Sequence, residues 1–252
     1  MMRSAAPQGR VLRLHVLDFG LFDVGPGVRT IGIPGFLLET DRGERILFDT
    51  GFPPDYATAP GPTAARDGLA RFGALIGFSA RQTAAGQLAL LGLAPADVTH
   101  VIVSHGHIDH VGSLPLFAAR PVWMTRIERA DPKPCYFFDV RPMDWPAAAY
   151  HLIDAPTELC PGLSLIPTPG HTAGHLSALV TLPSGRSMLL AADAINRASE
   201  PDEGFPDAGD RAAAARSAQT LFAVQAKHDA MLIYGHDPAQ RPGLRKAPAF
   251  YD

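Results

Sequence analysis

Short apolar blocks, each stopped by turn-forming residues, recur along this chain and mark out its strands. The first candidates are residues 11–17, 35–40 and 45–49. The last two are joined by Asp41-Arg42-Gly43-Glu44, a hairpin turn in which glycine supplies the positive φ. Further strands are expected at 99–103, 121–124, 150–153 and 163–167, then a hairpin of 177–182 with 187–191 turning at Pro183-Ser184-Gly185, and a last strand at 230–234. Helical spacing predicts a helix over 82–93, with Ala84, Leu88 and Leu91 apolar and Gly92 near its end, and a long alanine-rich helix over 210–227. Residues 52–80 are rich in Pro, Gly and Ala. A weak helical stretch at 64–75 stands out there, and the segment reads equally as a flap or as a surface connection. Strands arriving as meanders, with helices between groups, imply an α/β protein of mixed sheets covered by helices. Composition shows no break, low-complexity tract or legible repeat, so residues 1–252 are expected to form one domain.

The chemistry sits where these strands end. Directly after Val101-Ile102-Val103 comes Ser104-His105-Gly106-His107-Ile108-Asp109-His110, a crowd of imidazoles and one carboxylate. Both groups are ligands for zinc and similar divalent ions. His105 and His107 are two apart, so on an extended exit loop their side chains can converge on one ion. Asp109 and His110 fall where a helix should begin, which can aim them at a second ion. His171 follows the strand ending at Ile166-Pro167, Asp193 follows Met188-Leu189-Leu190-Ala191-Ala192, and His236 follows Met231-Leu232-Ile233-Tyr234-Gly235. Strand ends on one edge of a sheet share a rim, so residues far apart in sequence can meet there. His15, His100, His151 and His228 have no comparable context.

Composition narrows the partners. A length of 252 residues and 46% hydrophobic content support a sizeable core. A net charge of −3 gives no electrostatic reason to expect nucleic acid or an anionic membrane surface. No stretch approaches the roughly 18 apolar residues of a membrane span. Residues 1–10 lack the apolar centre of a secretory signal and read as a disordered lead-in. Cys135 and Cys160 have no CxxC spacing and are read as free thiols, which suggests a reducing compartment and a cytoplasmic location.

The His-x-His-x-Asp-His run, with the later His, Asp and His, resembles the metallo-β-lactamase superfamily over nearly the whole chain. That resemblance implies an αββα sandwich: two mixed β-sheets flanked by helices, with a two-metal centre at one edge, usually zinc, with iron or manganese as alternatives. It implies that His105, His107 and His171 hold the first metal, that Asp109, His110 and His236 hold the second, and that Asp193 bridges both. Asp49, in Leu47-Phe48-Asp49-Thr50-Gly51, matches the family's Asp-Thr-Gly element, and is expected to accept a hydrogen bond from a ligating imidazole. His175 is expected to support the site without ligating.

Within the superfamily, single residues separate the branches. Flavodiiron-type oxidoreductases carry Glu where His107 stands, and the best-known zinc β-lactamases carry Cys where Asp193 stands. The nearer likeness is to lactonases that open N-acyl homoserine lactones. It is carried by Leu14-His15-Val16-Leu17-Asp18-Phe19-Gly20, by Thr168-Pro169-Gly170-His171-Thr172, and by the tail from Gly235-His236-Asp237-Pro238 to Ala247-Pro248-Ala249-Phe250-Tyr251-Asp252. It implies a metal-bridging hydroxide attacking a lactone carbonyl, with Asp109 protonating the departing alkoxide. The chain departs from those lactonases at Asn196: they place Tyr three residues after the bridging Asp, against the substrate carbonyl. Asn196 is either an amide donor to the developing oxyanion or a loop residue. Phe36 and the aromatic loop with Phe137 and Phe138 are the expected substrate contacts, with a small-molecule ester or lactone as partner. A homodimer is left open. Two other readings stand beside this one. A glyoxalase II-type thioester hydrolase would use a basic C-terminal extension, and only Arg241, Arg245 and Lys246 cluster here. A mononuclear-iron sulfur dioxygenase would not need the complete second set of ligands.

Overall fold

The computed structural model describes residues 6–25 and 28–252, so the first half of the disordered lead-in expected at 1–10 lies outside the described residues; the second half is ordered instead, with the Gln8 and Gly9 N–H groups donating to Glu44 and the Arg10 N–H to Asp41. Twelve strands form two sheets among the described residues. The first sheet contains β1 (Val11–Asp23), β2 (Thr30–Thr40), β3 (Arg45–Phe48), β4 (Ala74–Ile76), β5 (His100–Ile102), β6 (Val122–Thr125) and β7 (Tyr150–Ile153), in the order β4-β1-β2-β3-β5-β6-β7. Pairing is antiparallel from β4 to β3 and parallel from β3 to β7. The second sheet contains β8 (Thr157–Cys160), β9 (Leu163–Pro167), β10 (Leu176–Thr181), β11 (Ser187–Ala192) and β12 (Met231–Tyr234), in the order β12-β11-β10-β9-β8. Only its β11–β12 pair is parallel.

The period-two alternation of the strands explains the layering. On β2 and β3, Phe36, Leu38, Ile46 and Phe48 join Leu165, Ala178, Met188 and Leu190 in a core between the sheets. Their neighbours Leu37 and Leu47 face the other way, into a core with Val101, Leu88, Val111 and Phe117. On β11 the same switch sends Leu189 and Ala191 outward against Ala214, Ala218 and Leu221, on the helix α6 (Arg211–His228). The shorter helices are α1 (Pro60–Asp67), α2 (Ala84–Ala89), α3 (Ile108–Val111), α4 (Arg126–Ala130) and α5 (Glu200–Glu203). Two mixed sheets with helices on both outer faces are the expected αββα architecture.

Several local expectations are corrected. The first strand runs on to Asp23 through a break in register between Asp18 and Leu21. The second begins at Thr30 because Pro34, which interrupts the pattern, is accommodated opposite Asp18. The helix expected over 64–75 is split: α1 ends at Asp67, and residues 74–76 form β4, an edge strand on β1. The 52–80 segment is therefore tied to the sheet edge. Strand β8, too short and polar to carry a pattern, is an addition. Cys135 and Cys160 are both free thiols.

Candidate active site

Six side chains and the bridging candidate converge where strands of both sheets end. Two groups of possible ligands form: His105, His107, His171 and Asp193 in one, Asp109, His110 and His236 in the other, with the donor atoms of each group within 4.8 Å of one another. Asp193 lies between the groups. Its carboxylate is 3.2 Å from His171 Nε2, 3.3 Å from His110 Nε2 and 3.1 Å from His236 Nε2. Asp109 Oδ2 is 3.5 Å from His110 Nε2 and 3.4 Å from His236 Nε2.

The backbone and the surrounding hydroxyls set the imidazole tautomers. Asp49 accepts from the Ser104 backbone N–H through Oδ1 at 2.8 Å, and through Oδ2 from the Ser104 hydroxyl at 2.8 Å and His110 Nδ1 at 2.7 Å. Because the Ser104 hydroxyl hydrogen goes to Asp49, its oxygen is left to accept from His105 Nδ1 at 3.0 Å. Both rings therefore carry the proton on Nδ1 and turn Nε2 inward. His236 reaches the same state by donating Nδ1–H to the Gly32 carbonyl at 2.9 Å. His175 does not face the ligand groups in the same way. Ser177 gives its hydrogen to the Ala191 carbonyl, so Thr168 donates to Ser177 and His175 Nδ1 donates to Thr168. His175 Nε2 is then the acceptor for the Asp193 backbone N–H at 3.0 Å. The ring thus holds the backbone of the carboxylate at the centre.

Charge separates the imidazoles. Burial first, with neighbouring imidazoles adding to it, pushes His105 well below the ordinary histidine range, and pushes His107 down to about 3. His171 is lowered by the same burial, partly offset by Asp193. Burial also opposes charge on His110 and His236, but the carboxylates around them win: His110 is raised well above its usual value and His236 to about 9. Asp193 is held well below the carboxylate range by His236, His110 and His171 despite its burial. Three neutral imidazoles beside a carboxylate make one donor set, and two imidazoles whose protons compensate carboxylates make the other. His105 Nε2, His110 Nε2, His171 Nδ1 and Asp193 Oδ1 are buried without a hydrogen-bond partner. Native interiors rarely leave such groups unsatisfied. A pair of divalent cations fits these atoms.

A cleft of about 440 Å³ opens onto this cluster, and His107, Asp109, His171, Asp193, Asn196 and His236 all line it. Its opposite wall is aromatic. Phe22 stacks on Phe72 at 5.5 Å, and Phe72 stacks on Phe137 at 5.4 Å. Phe138 stands at the mouth, 67% exposed, edge-on to Phe72. Phe36, expected to touch substrate, does not line the cleft. It is 3% exposed and packs edge-on against Phe48 at 6.1 Å, because its position in the β2 alternation turns it into the inter-sheet core. Asn196 lines the cleft with its Nδ2 turned to Glu200 Oε1 at 3.2 Å and its carbonyl Oδ1 without a partner.

Sequence reasoning missed Glu128. Its Oε1 accepts from the Gly106 N–H at 2.8 Å, and Oε2 accepts from Thr172 Oγ1 at 2.8 Å and the Gly174 N–H at 3.2 Å. It thereby ties the His105–His107 loop to the loop carrying His171. The available signal was Thr125, three residues earlier, which accepts from the Glu128 N–H. That spacing reads as ordinary helix capping.

Comparison with known proteins agrees with this geometry. The family model described as metallo-beta-lactamase superfamily matches residues 33–236. The N-acyl homoserine lactonase AiiA of Bacillus thuringiensis subsp. kurstaki is 30% identical over 219 residues, 85% of each chain. The N-acyl homoserine lactonase AttM of Rhizobium radiobacter is 34% identical over 181 residues, 66% of this chain and 68% of that one. Among solved structures, an N-acyl homoserine lactone hydrolase with N-hexanoyl-L-homoserine bound at its catalytic metal centre superposes with a TM-score of 0.81 at 25% identity, covering 96% of this chain and all of that one. Sheet order, converging ligands and these matches have one explanation: the chain belongs to the metallo-beta-lactamase superfamily.

Proposed function

We propose that this protein is a two-metal hydrolase that opens the ring of a lactone bearing an acyl chain. The observation that carries the reading is the pair of adjacent donor sets at the floor of an aromatic cleft, with His105 Nε2, His110 Nε2 and Asp193 Oδ1 buried and unpartnered. His105, His107 and His171 would hold one cation, Asp109, His110 and His236 the other, with Asp193 shared. Zinc suits the imidazole-rich set. When bound, such a pair generates a nucleophile from water at neutral pH and polarises an ester carbonyl.

The chain's own residues do the rest. The aromatic wall of Phe72, Phe137 and Phe138 gives an acyl chain apolar surface and excludes water from the cluster. Asp109 lines the cleft, and its carboxylate is kept ionised by His110 and His236 in spite of burial. Being ionised, the carboxylate can take up the proton released as water attacks and return it to the alkoxide that leaves when the ring C–O bond breaks. His175 and Asp49 keep the central groups in register throughout.

The test is a panel of lactones, thioesters and phosphodiesters offered to pure protein whose metal content is measured. Two metals per chain and preferential lactone opening are expected. Faster thioester cleavage would mark a glyoxalase II-type enzyme instead, and a single iron would mark a mononuclear centre. Either result overturns the proposal.

A further inference from the structure

His236 is held in two ways, and one of them depends on residues that do not touch the cluster. Its backbone N–H donates to the Asn196 carbonyl at 2.9 Å, which places the main chain. The ring is turned by Nδ1–H, which donates to the Gly32 carbonyl on β2 at 2.9 Å. The orientation of the imidazole is therefore only as firm as the position of Gly32 against the segment that follows β12.

Arg241 spans that junction. Its N–H donates to the Asp237 carbonyl at 3.1 Å, so its main chain is folded back beside His236. Its side chain lies across Gly32: a Cβ built there would meet Arg241 Cδ at 2.2 Å, Nε at 2.9 Å and Cγ at 3.3 Å, its three nearest atoms. Only a glycine leaves this room. Beyond Gly32 the guanidinium reaches β1, where Nη2 donates to both oxygens of Asp18, at 2.9 and 2.7 Å. The two side chains are 27% and 25% exposed, so water screens the pair only in part. Strand β1 is shaped to present this carboxylate. Its register against β2 breaks between Asp18 and Leu21, the Asp18 N–H donates to Gln87 Oε1 at 2.9 Å, and Oδ1 also accepts from the Gly20 N–H at 3.2 Å. Lys246 Nζ stands further off, at 4.0 Å. Neither Asp18 nor Arg241 lines the active-site cleft.

We propose that Asp18 and Arg241 are positioning residues for the second metal site: their ion pair clamps Gly32 against the 236–241 segment and so keeps the His236 ring, through the Gly32 carbonyl, with Nε2 turned to Asp193 and Asp109. This rests on the two-metal reading above. With the clamp open, Nδ1–H loses a fixed acceptor and the ring is no longer set for its ligand role. Loss of such outer partners changes metal affinity by about 10- to 100-fold. The effect is confined to one site, because His105, His107 and His171 stand on loops after β5 and β9 that Arg241 does not reach.

The experiment titrates chelator-treated full-length protein with zinc in a calorimeter, and His236→Ala identifies which of the two binding events belongs to the second site. Arg241→Met removes the charge and Asp18→Asn removes its partner. Each is expected to weaken that event by about tenfold and leave the other unchanged. As two halves of one contact, the double variant Asp18→Asn/Arg241→Met should bind no more weakly than either single variant. Arg241→Lys, which returns a cation to Asp18, should restore the affinity. A role in stability alone would weaken both events by one factor or neither, and either result overturns the inference while leaving the two-metal reading in place; so would strictly additive losses in the double variant. Should the neutral variants fail to fold, Gly32→Ala decides. The nearest obstacles to its methyl group are flexible Arg241 side-chain atoms, so it lifts the guanidinium away without blocking the strand. Selective weakening of the second event supports the inference, and unchanged binding overturns it. A wild-type protein that takes up fewer than two zinc ions sinks the two-metal reading and the inference with it.

Discussion

Both oxygens of Glu128 are engaged by backbone and hydroxyl donors from two loops, at 7% exposure. Such an arrangement organises ligands without touching a metal, and residues that orient ligands in this way typically change metal affinity by about 10- to 100-fold when replaced. Glu128→Ala leaves the Gly106 and Gly174 N–H groups and the Thr172 hydroxyl without their acceptor, at about 1–3 kcal/mol for each that water cannot reach. The expected outcome is a weaker first metal site together with a lower melting temperature. Calorimetric metal titration beside thermal unfolding checks it; loss of stability with unchanged affinity for both metals would reduce Glu128 to a structural role. At this scale the ligands were legible because each follows an apolar strand, as His236 follows Met231–Tyr234. Glu128 was not, because its acceptors' partners come from loops about 20 and 45 residues away, and no local pattern records such contacts. The direction of the His175 hydrogen bonds was hidden for the same reason, since it is set by the Thr168 hydroxyl just after β9, the Ser177 hydroxyl on β10 and the Ala191 carbonyl.

Elements carry the ligands to the rim with little tolerance. Between β9 and β10, Gly170 adopts φ +143°, and a Cβ placed there would sit 2.3 Å from the Ala214 nitrogen of α6. No side chain of α6 can yield that space, because the obstacle is backbone. Gly170→Ala should therefore push the loop off α6 and shift the adjacent His171, and backbone strain adds to the clash. Metal content of the purified variant, measured beside its far-UV circular dichroism, is the check: retained secondary structure with one metal lost is expected, and full occupancy would refute it. Strand existence was readable from alternation and apolar runs, and so was the long final helix, displaced by one residue at each end. Which face of a strand meets which layer was not. Phe36 and Leu37 are equally apolar neighbours, and only the docking of the second sheet decides that Phe36 is core between sheets while Leu37 faces the helices. Edge strands β4 and β8 escaped because three or four residues, two of them exposed in each, carry too little pattern.

Across the whole molecule, the two sheets meet at an edge where five imidazoles and two carboxylates are gathered, four of them buried and His107, Asp109 and His171 half-buried. In the absence of cations this cluster is balanced by protons. His236 is raised to about 9, and His110 well above its ordinary value, so both are charged at neutral pH, while His105, His107 and His171 are neutral. A ligating imidazole must be unprotonated, so filling the second site displaces the protons of His110 and His236, and affinity should fall as pH falls. The sign is fixed by the direction of the two shifts: a histidine with a raised value is protonated below it, and protons compete with the metal throughout the range below about 9. Because the folded chain binds cations and the unfolded chain does not assemble the site, free metal at 1,000 times Kd should add about 4 kcal/mol of stability. For a chain of this size that corresponds to roughly 8–16 °C in melting temperature. Thermal unfolding of chelator-treated protein with and without added zinc measures the second quantity, and titration calorimetry in buffers of different ionisation enthalpy measures the first. Coincident melting curves, or metal uptake without proton release at neutral pH, would show that the seven side chains are held together by the fold and their own hydrogen bonds rather than by bound cations.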